Sequence, residues 1–427
     1  MTTKTCAQWA ATLLIGLFAM QASAAPGDPL TPPIQANLTP GQNYNVHVDR
    51  APSGEFVVGW AYARPGDLEY DVRARVYAAD GTPLSGEINV METPGNQSRF
   101  DIAIADGVMA VAWLDGTNTG NAVRARRFAY DGTPLEAIQT VGIVEPIGTA
   151  ATPMAALADG GRLAVGWVFE RATAAPQSCR YPRLLCLKAE AYDQELRMRW
   201  MDDIAQTTLV GLSRAGGDVT VAGIDVLPSP TVFLPENYPV KLRLSGFEVT
   251  PAGDVVYLWA VQLAPVGAGM QVLQVGRLAT DRRMQQLPQV VELLQTSGGY
   301  YCLSEALDID ATGQAVVFYT DGCDAFARRV PPRGLAGPKL AVNATAAQVD
   351  RINPTLRVQT GDDGAFSALY SDTLVPFAAG ADLAGVAASL GGITQYGFDA
   401  ASDSTGALVV GGADRDGVVT VQLFEGP

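Results

Sequence analysis

The chain has 427 residues, with 29 Lys and Arg against 44 Asp and Glu, and a formal net charge of −15. With no run of basic residues, that balance argues against nucleic acid and against an anionic membrane surface, both of which require clustered cations. The 45 Gly and 27 Pro favour short strands and turns over long helices, and a single histidine excludes histidine-rich metal centres.

Residues 1–24 read as an export signal. Lys4 is the only charge, ATLLIGLFAM is a short apolar stretch, and Ala22-Ser23-Ala24 is a small-residue cleavage site. About ten apolar residues are too few for a permanent membrane helix. No later window reaches the ~18 uninterrupted apolar residues of a span. Cys6 precedes the apolar stretch and so is not placed as a lipid anchor. The expected product is periplasmic or extracellular, monomeric, and without a transmembrane span or nucleic-acid partner.

From Val46 onward one element recurs: a strand, a tight Gly/Asp turn, then an apolar strand. Copies end at Trp60, Trp113, Trp167, Gly223, Trp259, Tyr319, Tyr370 and Gly412. The clearest continue with two more strands, as in DVRARVYAADGTPLSGEINV and NAVRARRFAYDGTPLEAIQTV. Val72-Arg73-Ala74-Arg75-Val76-Tyr77 alternates with the period of a strand. Asp80-Gly81 and Asp131-Gly132 are hairpin-turn dipeptides. Each unit of about fifty residues therefore predicts a four-stranded antiparallel meander, the size of a β-propeller blade.

The last copy stops after three strands, at GVVTVQLF, while PLTPPIQANLTPGQ near the amino terminus echoes the fourth-strand segment PLSGEINVMETPGN. The prediction is all-β: one propeller domain over 25–427, closed by residues 25–43 as the outer strand of the last blade. Eight copies favour eight blades. The interval of only 36 residues between Gly223 and Trp259 leaves seven open.

Residues 54–135, with GEFVVGW followed by RARVYAADGTPL and RARRFAYDGTPL, resemble bacterial secreted repeat proteins whose units read G-x-F-V-V-x-W, then x-A-R-x-Y/F-x-x-D-G-x-P-L. The resemblance implies a propeller in an exported, often adhesin-like protein. It carries no catalytic residue across.

The recurrent aromatics Trp60, Trp113, Trp167, Trp259, Tyr319 and Tyr370 read as packing between neighbouring blades rather than as a sugar platform. The turns between strands 1 and 2 are short; the 2–3 and 4–1 connections are long and varied, which makes theirs the expected working face. In an exported protein Cys179–Cys186 and Cys302–Cys323 are the local disulfide pairings. Asp115, Asp225, Asp321, Asp372 and Asp414 recur two residues beyond the second strand. They form either a ring for Ca²⁺ or a cationic ligand, or a set of Asx-turn caps. Arg171, Arg180, Tyr181 and Arg183 make a basic, aromatic loop suited to an anionic ligand or to pairing with the protein's own acids.

His47 reads as structural, and no G-x-S-x-G elbow or Asp-box accompanies it, so no catalytic residue is assigned. Two readings remain. One is a binding or scaffold module for a protein, peptide or glycan. The alternative is a carbohydrate-active propeller, hydrolase or lyase-like, using loop carboxylates. A deep axial pocket with converging acids and a raised pKa favours the enzyme, and a broad shallow rim favours the binder.

Overall fold

The computed structural model describes residues 24–66, 69–91, 99–117, 120–144, 152–172, 192–202, 208–213, 219–221, 224–225, 240–263, 268–280, 284–297, 304–321, 324–343, 355–391 and 398–427. These form seven separate antiparallel sheets, the seven blades of a propeller. The inner strands are Gln42–Arg50, Phe100–Ala105, Met154–Ala158, Val240–Val249, Glu305–Ile309, Leu356–Thr360 and Phe398–Ser402. Each is an edge strand, paired only with the second strand of its own sheet.

Eight blades were favoured by the repeat count, and seven are present. The copy ending at Gly223 is not a blade. Thr208–Ser213 is the fourth strand of the third sheet, and Val219–Val221 and Ile224–Asp225 extend that sheet outward to six strands. A hairpin has the same local pattern whether it begins a blade or lengthens one. The third unit therefore spans the 92 residues from Trp167 to Trp259. A second local difference concerns the 2–3 connections, expected to be long: in SDTLVPFAAGAD the connection is short. Thr373–Phe377 within it is the third strand of the sixth sheet, following a tight turn at Ser371-Asp372.

The outer strand of the seventh sheet comes from the amino-terminal segment, Ile34 facing Val421 and Gln35 facing Thr420. Further amides extend the pairing, from Ala36 to the Val419 carbonyl and from Leu30 to that of Leu423, both at 2.8 Å. The same segment is tied to the first sheet. Glu87 accepts from Thr39 N–H at 2.8 Å and Thr39 Oγ1 at 2.5 Å, and pairs with Arg73 at 2.7 Å. Among the described residues no ladder continues from one sheet into the next, so the ring is not closed as a hydrogen-bonded barrel is. Side chains join the sheets.

The recurrent aromatics are the largest of these joints. Trp113 of the second sheet packs among Val57, Ala61, Val72 and Val76 of the first. Trp259 of the fourth packs among Ala164, Val168, Leu196 and Met198 of the third. Trp60 faces the seventh sheet, Tyr319 the fourth and Tyr370 the fifth in the same way. All are fully buried. Trp167 sits so close to the second sheet that a Cβ at Gly142 would lie 2.6 Å from its ring. Polar joints supplement the rings: buried Arg277 donates to the Gly313 and Val330 carbonyls at 2.6 and 3.1 Å, across the fourth and fifth sheets.

Trp113→Ala should destabilise the fold by about 3–5 kcal/mol, the usual cost of emptying a buried aromatic site. The measurement is the chemical-denaturation midpoint. A change of under about 1 kcal/mol would contradict the inter-sheet role of this ring.

Candidate active site in the axial channel

Five of the inner hairpins share one turn. In each, residue i donates its amide to the carbonyl of residue i+4, and a glycine at i+3 donates back to i: Ala51/Gly54, Thr250/Gly253, Asp310/Gly313, Gly361/Gly364 and Asp403/Gly406. The glycine has positive φ in all five, from 77 to 103°, a conformation that side chains disfavour. Because the turns superpose, positions counted back from that glycine are equivalent around the ring. His47, Arg357 and Asp399 lie seven residues before it, and Asp49, Glu248 and Asp308 five before. Side chains two apart along a strand share a face. These therefore form two tiers lining one axial channel, a cavity of about 340 Å³ walled by all seven inner strands.

The carboxylates have a structural reason to be there. An inner edge strand presents amides with no strand partner, and acids from the neighbouring sheet satisfy them. Ile104 N–H donates to Asp49 at 2.7 Å, Ala155 N–H to Asp101 at 2.9 Å, Thr360 N–H to Asp308 at 2.6 Å and Val48 N–H to Asp399 at 3.0 Å. Each bond crosses from one sheet to the next.

In the upper tier, His47 Nδ1 lies 3.5 Å from Asp101 Oδ1 and 3.5 Å from Asp399 Oδ2. The two carboxyl groups thus flank a single ring nitrogen, with the imidazole edge-on to Phe100 at 4.8 Å. Arg357 distinguishes them. Its Nε bonds Asp399, and its Nη1 donates to the Leu356 carbonyl at 2.8 Å.

Burial opposes ionisation of Asp399, but Arg357 and His47 outweigh it and hold this carboxyl down to about 2. Burial pushes Asp101 up, against the pull of His47. In the lower tier burial raises Asp49 to about 7 despite its amide bonds, with repulsion from Asp101 and Asp399 adding. Asp308 rises for the same reason, and Glu248 rises too, through burial and then the proximity of Asp308, Asp49, Asp101 and Asp399. One cavity therefore holds acids driven in opposite directions, the condition for separate proton-donor and anionic roles.

The residues singled out in the sequence lie elsewhere. Asp115 is buried beside Arg124, Asp321 pairs with Lys339 at 2.7 Å, and Asp372 accepts from Thr373 Oγ1 at 3.3 Å. Asp414 caps its own turn, accepting from Asp416 and Val418 N–H at 2.9 and 2.8 Å. Asp225 belongs to the outermost added strand of the third sheet, away from the second-strand ends. Arg171 is in the strand Arg162–Ala172. Arg180, Tyr181, Arg183, Cys179, Cys186, Cys302, Cys323 and residues 1–23 lie outside the described residues. Among the described residues no three His, Cys, Asp or Glu side chains approach closely enough to share a metal ion. No helix of the described residues is long and apolar enough to cross a membrane.

His47, read as structural, lines the channel, and Asp49, Asp101, Glu248, Asp308, Asp399 and Arg357 were not singled out. Their signal was present: VHVDR, FDIAIA, FEVT, LDID and FDAAS all place an acid on the first strand of a unit. The expected working face was that of the 2–3 and 4–1 loops, many of which fall outside the described residues. The cavity extends toward the opposite face, to Pro52, Asp106, Pro251 and Asp362 beside the 1–2 turns.

No family model and no curated protein matches the sequence. Among solved structures, the chain is similar to an α-L-arabinofuranosidase of Fusarium graminearum, at 12% identity and a TM-score of 0.44, over 79% of this chain and 96% of that one. It is similar to a polysaccharide lyase, an ulvan lyase, at 10% identity and 0.46, over 92% and 96%. A third is the NanB sialidase of Streptococcus pneumoniae, at 9% and 0.40, over 92% and 70%. No residue correspondence follows at such identities. The propeller rests on the strand pairing described above.

A carboxyl whose pKa is raised on folding binds its proton more tightly in the folded chain, so its contribution to stability is lost as pH rises through the folded value. For Asp49 the window runs from 3.8 to about 7. Asp399 acts oppositely, its contribution lost only as pH falls from 3.8 toward about 2. The melting temperature should therefore fall between about pH 4 and pH 7, and Asp49→Asn, which keeps an acceptor for Ile104, should flatten that decline. An unchanged slope in the variant would remove Asp49 as its source.

Proposed function

We propose that the protein cleaves glycosidic bonds of a carbohydrate bound in the axial channel, outside the cytoplasm. The observation that carries this reading is the pair at His47: two carboxyl groups on one imidazole nitrogen, one pushed up by burial and the other held down by Arg357. Asp101 is the proton donor to the leaving glycosidic oxygen. Asp399, kept anionic, stabilises positive charge at the sugar carbon or directs the incoming water. His47 and Arg357 are positioning residues that keep the two acids different. The binding-module reading called for a broad shallow rim, whereas a channel walled by seven strands with converging acids favours the enzyme. The export signal read over residues 1–24 is what supports the location.

The test is a panel of neutral, amino and uronic polysaccharides, assayed for new reducing ends and for unsaturated products. The expected result is cleavage of at least one polymer, with Asp399→Asn and Asp101→Asn each lowering kcat by about 10²–10⁴ while the fold persists. No cleavage across the panel, or variants as active as the parent, would overturn the assignment.

A further inference from the structure

We infer that the mature chain begins at Ala25 and that its new α-ammonium group is the counter-ion of Asp28, a clasp on the strand that completes the seventh sheet. The inference is independent of the carbohydrate reading. Asp28 is exposed, and among the described residues its carboxylate has one partner, the Ala25 nitrogen, which donates to Oδ2 at 2.7 Å. The contact belongs to a formed turn, in which Asp28 N–H donates back to the Ala25 carbonyl at 2.8 Å. That turn is fixed to the other end of the chain. Gly27 N–H donates to the Glu425 carbonyl at 2.8 Å, Glu425 N–H donates to the Asp28 carbonyl at 2.9 Å, and Pro29 bridges Phe424. Gly27, at a φ of 85°, also sits against the sixth sheet, where a Cβ would lie 2.5 Å from that of Ala388.

The sequence supplies the other half. Ala22-Ser23-Ala24 places the cut after Ala24, and Ala25 is the first residue of the turn. Ala25 and Pro26 are exposed, so the Ala24–Ala25 bond lies at the surface. Hydrolysis by an endopeptidase of the export route adds water across that bond. The C–N bond breaks, the Ala24 carbonyl gains an oxygen and leaves as a carboxylate, and the Ala25 nitrogen becomes an ammonium ion. An uncharged amide with one N–H is thereby replaced by a cation with three, with a carboxylate already 2.7 Å away. The neutral hydrogen bond becomes a charge-assisted one. An uncut leader withholds that charge, so cutting tightens the seam between the two ends of the chain. The seam has use for it: Ile34–Gln35 pairs with the seventh sheet through two residues only, and its hold rests on ties to either side. Glu87 grips Thr39 after the strand, and the clasp at Asp28 holds the chain before it.

The experiment expresses the full chain, leader included, in a bacterial host that exports it, and identifies the first residue of the product by mass spectrometry. The pH dependence of α-amine acylation is then read on the amino-terminal peptide, for the parent product and for Asp28→Asn. The expected product starts at Ala25. Its amine should acylate with a midpoint above the ordinary value of about 8, and Asp28→Asn should bring the midpoint back to that value. Added salt should narrow the difference. Once the amine is acylated, hydrogen exchange of the amides in 25–31 and 422–427 should speed up by about two- to fivefold, the range an exposed ion pair allows. The same treatment of Asp28→Asn should leave exchange unchanged. A product that keeps residues 1–24 or begins at another residue would overturn the inference without recourse to any variant. So would an amine midpoint that Asp28→Asn does not move, or seam exchange indifferent to acylation of the parent.

Discussion

Seven inner strands, each with one edge unpaired, impose the constraint from which the rest of this structure follows. The amides on those edges face the axis, where no further strand can fit, and they must be satisfied by something other than a ladder. The chain answers with acids. Asp49, Asp101, Asp308 and Asp399 each reach to the neighbouring sheet and accept one of its backbone amides. The same side chains that stitch the sheets together around the channel are therefore the ones that give the channel its charge.

That solution has an electrostatic cost. Carboxyl groups drawn to a common axis repel one another and lose hydration, so most of them are pushed toward the neutral form. Asp399 escapes because Arg357 lies against it. Chemistry becomes available through this inequality: a row of equivalent acids would titrate alike, whereas a guanidinium beside one member leaves an anion next to a proton donor. His47, the single histidine, holds the two at one nitrogen. Structural satisfaction and electrostatic asymmetry thus coexist in the same few residues.

The outer parts of the sheets solve a different problem. Between neighbouring sheets the space widens with distance from the axis, and large rings on the second strands fill it. Trp113, Trp259 and their counterparts are buried against the preceding sheet, consistent with their reading from sequence as packing residues. Where the first and last sheets meet, Ile34–Gln35 supplies the seventh sheet's outer strand and Glu87 ties the following turn to the first sheet. Chain ends at this junction are held by both ladder and side chain.

The strand pattern, the turn glycines, the four-stranded unit and the borrowed amino-terminal strand were all legible in the residues, because each depends on spacing along the chain. Period-2 alternation and a glycine at positive φ are local matters. Blade number was not local: the hairpin ending near Gly223 satisfies every rule for starting a sheet, and only the pairing of its first strand, Thr208–Ser213, onto Tyr192–Trp200 makes it an extension. The site was less legible still. Acids at the first strand of five units were visible as letters, but a carboxylate's role depends on which charges face it across the axis. Arg357, His47, Asp101 and Asp399 come from four different units separated by up to 352 positions. Folding alone brings them within a few ångströms, because coulombic coupling and desolvation act through space, and sequence separation says nothing about either.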